Sequence, residues 1–107
     1  ANLRLSRALE ATQETMRRYP PLCGVPVVVL TATRDWPRMP TGWGEGWRSG
    51  HRDLIAMTGG REVIAVRSGH MLHKDQPELV IDAAALVLSH AKDAHPVLGT
   101  PGIPCPR

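Results

Sequence analysis

Phenylalanine is absent from this 107-residue chain, and one tyrosine and three tryptophans supply all of its aromatic side chains. An apolar core must therefore be built mainly from leucine, valine, isoleucine and alanine. The hydrophobic fraction of 42% argues against a disordered chain. A chain of this length is one domain at most, or a part of a larger one, and it can bury only a small core.

Long basic runs and long apolar runs are missing as well. The 13 basic and 10 acidic residues are scattered along the chain and leave a net charge of +3. No run of Lys and Arg reaches the roughly five to eight residues typical of a nucleic-acid patch. No apolar segment approaches the roughly 20 residues that a membrane span needs. We therefore expect no nucleic-acid partner and no membrane span.

Cysteine is scarce. Cys23 and Cys105 do not lie in a C-x-x-C or other metal-ligand spacing. A bridge between them is geometrically possible, but the simpler interpretation is two free thiols in a reducing compartment. No signal peptide is recognisable, so the cytoplasm is the expected location. The sequence starts at Ala1 without an initiator methionine, which leaves an upstream signal open.

The spacing of apolar residues predicts the order helix, strand, helix, strand, helix. Leu5, Leu9 and Met16 recur at helical intervals in the first element. The second element is a nearly unbroken β-branched run, which suits a strand covered on both faces. The predicted elements are helices at 2–19, 50–58 and 76–91, strands at 25–31 and 62–66, a Gly/Trp-rich loop at 36–50, and an irregular tail at 94–107.

Two helix starts are predicted from capping residues. Ser49 is the expected N-cap of the middle helix, and Gly59-Gly60 is expected to end it. Asp75 is the expected N-cap of the last helix, with Glu78 completing a capping box. These assignments give both carboxylates a structural role instead of a catalytic one.

The two predicted strands are joined through a helix, which implies that they pair in parallel with a right-handed crossover. Two strands make a poor sheet, because each would leave an exposed edge and an apolar face. We therefore expect the pair to pack on further strands that this chain does not contain.

Each predicted strand is followed by a residue suited to acid–base chemistry. The first strand leads into Arg34-Asp35, and the second leads into Ser68-Gly69-His70. An acid followed by a histidine, each just past a strand, is the chain order of the last two members of a nucleophile–acid–histidine triad. No serine or cysteine stands in a G-x-S-x-G pattern or its cysteine analogue.

These two motifs together resemble the C-terminal part of the α/β-hydrolase superfamily, over roughly residues 20–90. Residues 27–35 resemble the strand and turn that carry the triad acid, and residues 68–80 resemble the catalytic-histidine loop and closing helix. The resemblance implies that residues 1–107 are the C-terminal part of one α/β-hydrolase domain. Its parallel sheet would be completed by strands from another chain or from a missing N-terminal part. That N-terminal portion, separate or cleaved, would be the partner that carries the nucleophile.

The resemblance implies hydrolysis of an ester-like or other small apolar substrate through a covalent intermediate, as in a serine esterase. His70 would be the general base and acid, and Asp35 would accept its N–H, with Glu45 and Asp53 as weaker alternatives to Asp35. An aspartate nucleophile on the missing part would instead imply epoxide or halide hydrolysis. A non-catalytic binding scaffold of the same fold is the remaining alternative.

The candidate substrate-binding residues are Trp36, Trp43, Trp47 and Met71. The tryptophans would either pack against neighbouring structure or wall an apolar pocket. His73 forms an H-x-x-H pair with His70, but no third ligand is evident, so we expect no metal and no cofactor. The glycine-rich loop lacks G-x-x-x-x-G-K-[ST], which argues against a phosphate loop.

Overall fold

The computed structural model describes residues 2–106, with the side chains of residues 7–15 and 17–106. Leu5 and Met16, two of the residues whose spacing predicts the first helix, have side chains outside this description. Four helices, four strands and one 3₁₀ turn are found in the described part of the chain. In chain order they are α1 (Asn2–Arg18), β1 (Leu22–Cys23), β2 (Val28–Ala32), the 3₁₀ turn (Trp36–Arg38), α2 (Trp43–Thr58), β3 (Arg61–Ala65), α3 (Leu72–Asp75), α4 (Pro77–Ala91) and β4 (Val97–Leu98).

The central unit of the molecule is a parallel pair of strands joined through a helix. Strands β2 and β3 pair from Val28↔Arg61 to Ala32↔Ala65, and α2 connects them. Burial alternates along β2, so that Val29 and Thr31 are buried. This alternation follows from the two-residue period of a strand. The parallel pairing agrees with the sequence expectation.

The predicted fold class is nevertheless wrong. The described chain forms two sheets of two strands each, one parallel and one antiparallel, and neither is the sheet of an α/β-hydrolase. The antiparallel sheet joins β1 to β4 through the pairs Leu22↔Leu98 and Cys23↔Val97. Local patterns identify strands, but the partners of each strand depend on distant parts of the chain. Here the proline-rich tail returns to β1, which sequence periodicity did not predict.

Helix α2 begins within the stretch predicted to be a loop. It starts at Trp43, with Gly42 at a left-handed φ of 86° in the N-cap position. Ser49 is therefore inside the helix and is not its N-cap. Gly44 is needed for close packing, because a Cβ at this position would lie 2.9 Å from the ring of Trp36. Gly44 therefore marks close packing of the helix against Trp36 and not a flexible loop.

The predicted capping box at the last helix is not formed. Helix α4 begins at Pro77 and follows Gln76, which makes no side-chain capping hydrogen bond. Asp75 instead ends α3, and its carboxylate accepts the backbone N–H of Gly69 at 2.8 Å. The carboxylate therefore stabilises the loop before the helices and not the start of α4.

A disulfide joins Cys23 to Cys105, whose Cα atoms are 5.5 Å apart and whose positions are separated by 82 in the sequence. The expectation of two free thiols is wrong. Both cysteines are buried, and Cys105 N–H donates to the carbonyl of Met57 at 2.8 Å. The bridge ties the tail to β1, and the hydrogen bond to Met57 ties it to the end of α2. Closing a loop of this length stabilises a fold by about 4 kcal/mol in the chain-entropy account.

The apolar core of the described chain is small. Its buried hydrophobic residues are the two bridged cysteines, Val29 and Ala65, whereas Ile64 and Val66 remain exposed. Because this core is small, the disulfide carries an unusually large share of the stability of this chain.

Across residues 2–106, no helix combines the length and the apolar character needed to traverse a lipid bilayer.

Candidate active site

A cavity of about 590 Å³ lies beside the end of β2 and the loops that follow β2 and β3. Its volume is in the range of small-molecule sites. Apolar side chains form most of its wall, and one carboxylate and three imidazoles provide its polar groups. The apolar members are Leu30, Ala32, Trp36, Met39, Trp43, Trp47, Leu72 and Val80, and the ionisable members are Asp35, His51, His70 and His73.

The three tryptophans reach this cavity from two elements. Trp43 and Trp47 lie one turn apart on α2 and stack, with ring centroids 5.8 Å apart and planes inclined by 15°. Trp36 comes from the 3₁₀ turn and packs under Gly44. All three therefore wall the cavity with flat aromatic surface. Met71, the fourth candidate for substrate binding, is exposed and does not line the cavity.

The loop that carries His70 is held by two hydrogen bonds at Ser68. Ser68 is fully buried, and its hydroxyl donates to the side-chain carbonyl of Gln76 at 2.9 Å. The Ser68 carbonyl accepts the backbone N–H of Arg34 at 3.1 Å. These bonds fix the backbone on the N-terminal side of His70, while its imidazole remains exposed at the edge of the cavity.

Arg34 connects the two loops at this edge. Its guanidinium lies 3.3 Å from Asp35 and 3.1 Å from Asp75, and it also donates to the carbonyl of Arg67 at 3.3 Å. The pKa of Arg34 is raised above its ordinary value, chiefly by the side-chain hydrogen bond to Asp35. The group is half exposed, so these ion pairs position the loops more than they stabilise the fold.

Asp35 and His70 lie at the same edge of the cavity but are not bonded to each other in the described chain. One oxygen of Asp35 accepts from Arg34, and the other lies directly against Gly69, where a Cβ would collide with it. Glycine at position 69 therefore allows the carboxylate to approach the histidine loop. Of the weaker acid candidates, Glu45 faces a different groove and Asp53 is exposed on α2.

His51 is a cavity residue that the sequence analysis did not identify. Its Nδ1 lies 2.8 Å from the hydroxyl of Thr31, and that hydroxyl donates to Glu62 at 2.6 Å. The signal was available once α2 is extended to Trp43, because Trp43, Trp47 and His51 then recur every four residues on one face. Reading residues 36–50 as a loop concealed that periodicity.

Among the residues that the structure describes, no three His, Cys, Asp or Glu side chains are grouped closely enough to hold a metal ion. His70 and His73 both reach the cavity, but they come without a third ligand. No protein-family model, curated protein or solved structure matches this chain. The function must therefore be inferred from the chemistry of the cavity.

Proposed function

We propose that this protein is a portion of a hydrolase that acts on a small, apolar, ester-like substrate held between the tryptophans of the cavity. The observation that carries the proposal is an exposed imidazole and a carboxylate at the edge of an aromatic-walled cavity of about 590 Å³. An aromatic wall favours the apolar part of a substrate, and an imidazole is the side chain best suited to proton transfer near neutral pH.

His70 is the proposed general base and acid. It takes a proton from the attacking group and returns one to the leaving group. Asp35 is the proposed carboxylate that orients the imidazole and stabilises its charged form. Oδ2 of Asp35 lies against Gly69, which precedes His70 in the sequence. His70 itself has an exposed side chain. Rotation of that side chain is the movement that would bring an imidazole N–H to Asp35.

The nucleophile is proposed to lie on a separate or cleaved portion of the protein. Ser68 is the serine nearest to His70 in sequence, but it is fully buried and bonded to Gln76, so it is unsuited to attack a substrate. The exposed apolar side chains of Ile64 and Val66 are consistent with a partner that covers the strand pair. An aspartate nucleophile on that portion would direct the same imidazole to epoxide or halide hydrolysis.

The cellular location is proposed to differ from the cytoplasmic expectation. Disulfides persist mainly in oxidising compartments, and the Cys23–Cys105 bridge is buried between β1 and the tail. Counting free thiols by mass spectrometry in the native protein tests this proposal. Two alkylated cysteines without prior reduction would instead support a cytoplasmic location.

The proposed activity is tested with the protein purified from its native source. Denaturing intact-mass spectrometry should show a second polypeptide in equal amount, and the preparation should hydrolyse p-nitrophenyl butyrate. His70→Ala should remove that hydrolysis, whereas His90→Ala, an exposed histidine outside the cavity, should retain it. A single mass without hydrolysis, or full turnover by His70→Ala, would contradict the proposal.

A non-catalytic binding scaffold is the second candidate, and the position of Asp35 favours it. The carboxylate is engaged by Arg34 and not by His70 in the described chain. A scaffold would bind apolar ligands with unchanged affinity in His70→Ala and would hydrolyse none of them. Equilibrium binding and turnover measured on the same preparation separate the two candidates.

A further inference from the structure

Three side chains, those of Glu62, Thr31 and His51, are joined by hydrogen bonds and link the sheet to the cavity. Thr31 is the middle member of this Glu62–Thr31–His51 chain. Its hydroxyl is completely buried and contacts two groups, His51 Nδ1 at 2.8 Å and Glu62 Oε2 at 2.6 Å. In the strand register Glu62 pairs with Val29, two residues before Thr31, so Glu62 and Thr31 share one face of the strand pair. His51 reaches the same hydroxyl from α2.

The proton positions in the Glu62–Thr31–His51 chain follow from how many protons each side chain has to donate. A threonine hydroxyl has one proton, and an ionised carboxylate has none to give. The hydroxyl therefore donates to Glu62 and must accept from His51. This requires the proton of the neutral imidazole to be on Nδ1, which leaves Nε2 with a lone pair and no proton.

His51, whose Nε2 carries the free lone pair, is part of the cavity wall. His51 lines the cavity beside Trp47, with ring centroids 5.7 Å apart and planes inclined by 56°. Since Nδ1 is occupied by Thr31, Nε2 is the ring nitrogen available to a bound molecule. A hydrogen-bond acceptor set in an aromatic wall selects ligands that present an apolar body and one donor group.

We propose that the Glu62–Thr31–His51 chain holds His51 as a hydrogen-bond acceptor, and that the cavity binds small apolar alcohols or phenols whose hydroxyl donates to His51 Nε2. This proposal deepens the proposed function, since it rests on the same cavity and names the class of ligand. An alcohol or phenol is also a product of ester hydrolysis. The binding of such a ligand does not require the nucleophile, Asp35 or His70.

The tautomer of His51 is the first test. Long-range proton–nitrogen NMR spectra of the neutral imidazole distinguish a protonated from a bare ring nitrogen. We expect Nδ1 protonated and Nε2 bare in the native protein. Thr31→Val should release this preference, and Thr33→Val should preserve it, because the Thr33 side chain makes no hydrogen bond within the part of the chain that the structure describes. A proton on Nε2 in the native protein would overturn the proposal whether or not the variants fold.

Ligand selectivity is the second test, and it uses 2-naphthol and 2-methoxynaphthalene as matched probes. They share one ring system, but only 2-naphthol can donate a hydrogen bond. We expect 2-naphthol to bind about fivefold more tightly in NMR titrations, as one net hydrogen bond predicts. His51→Phe should bind both probes equally. Equal binding of both by the native protein would overturn the proposed ligand class.

These outcomes are separable from those for hydrolysis. If 2-naphthol is preferred and p-nitrophenyl butyrate is not hydrolysed, the hydrolase proposal fails and the ligand proposal stands. If the ester is hydrolysed and the two probes bind equally, the ligand proposal fails alone. The same preparation serves both measurements.

Discussion

The two ends of the parallel strand pair are held together by different kinds of bond. At the end where β2 and β3 start, the Cys23–Cys105 disulfide joins the tail to β1, and a backbone hydrogen bond from Cys105 to Met57 joins it to α2. At the end where they finish, hydrogen bonds and ion pairs around Arg34 and Ser68 hold the loops beside the cavity. The covalent end provides stability, and the hydrogen-bonded end positions the groups proposed to carry function.

This difference teaches where mutations should separate stability from function. A substitution at the disulfide end should unfold the chain more easily without altering the chemistry of the cavity. A substitution of an exposed cavity residue should alter the chemistry of the cavity without making the chain easier to unfold. Thr31 is the intermediate case, since it is buried in β2 and also bonded to a cavity residue.

The largest expected effect is on turnover in His70→Ala. Loss of the general base should lower the rate of ester hydrolysis by about 10³- to 10⁴-fold. The imidazole is exposed, so the free energy of unfolding should change by less than about 0.5 kcal/mol. Steady-state kinetics and urea unfolding on the same variant check both statements. A large loss of stability in His70→Ala would show that the cavity end of the strand pair also stabilises the fold.

Removal of the disulfide should produce the largest effect on stability. Replacing Cys23 and Cys105 together by serine should lower the free energy of unfolding by about 4 kcal/mol, because the closed loop spans most of the chain. Urea unfolding measures this loss. Below the transition, the tautomer of His51 should be unchanged. A changed tautomer in the folded variant would show that the bridge also positions the cavity.

Asp35→Asn should have a smaller effect on turnover than His70→Ala. We expect the turnover rate to fall by about 10²-fold, at the lower end of acid–base contributions, because the Asp35 carboxylate is also paired with Arg34. Asp82→Asn, an exposed carboxylate on α4, is the matched control and should retain full turnover. Equal rates for the two variants would remove Asp35 from the proposed mechanism.

Thr31→Val should have the smallest effect, on stability alone in the absence of ligand. Removing the hydroxyl leaves Glu62 and His51 without their shared partner, which should cost about 1–2 kcal/mol in urea unfolding. Thr33→Val should cost less, since its side chain is only partly buried. A larger loss in Thr33→Val would place the critical hydroxyl outside the proposed chain.

Local patterns in the sequence identified several elements of the fold correctly. The β-branched run around Val28 and Val29 corresponds to β2, and the predicted parallel pairing with residues 62–66 corresponds to β3. The helix predicted at 76–91 corresponds to α4 (Pro77–Ala91). These elements are readable because their apolar periodicity is local and is reinforced by proline or glycine at their ends.

The missed features depend on contacts between distant residues. Glycines at positions 44, 46 and 50 each disfavour a helix by about 1 kcal/mol, but packing of Trp36 on Gly44 and stacking of Trp43 on Trp47 offset that preference. His51, although inside the predicted helix at 50–58, was consequently not assigned to the same helix face as Trp43 and Trp47. The strand count was also missed, because β4 pairs with β1 only after the tail has crossed the molecule.

The sequence by itself determined the succession of the longer elements α1, β2, α2, β3 and α4, the positions of Asp35 and His70 after β2 and β3, and the aromatic character of the region after β2. Only the tertiary structure decided that Cys23 joins Cys105, that the sheets have two strands each, and that Thr31 bonds both His51 and Glu62. The physical reason is that periodicity and capping act within a few residues, whereas strand partners, disulfides and buried polar chains depend on which distant segments pack together.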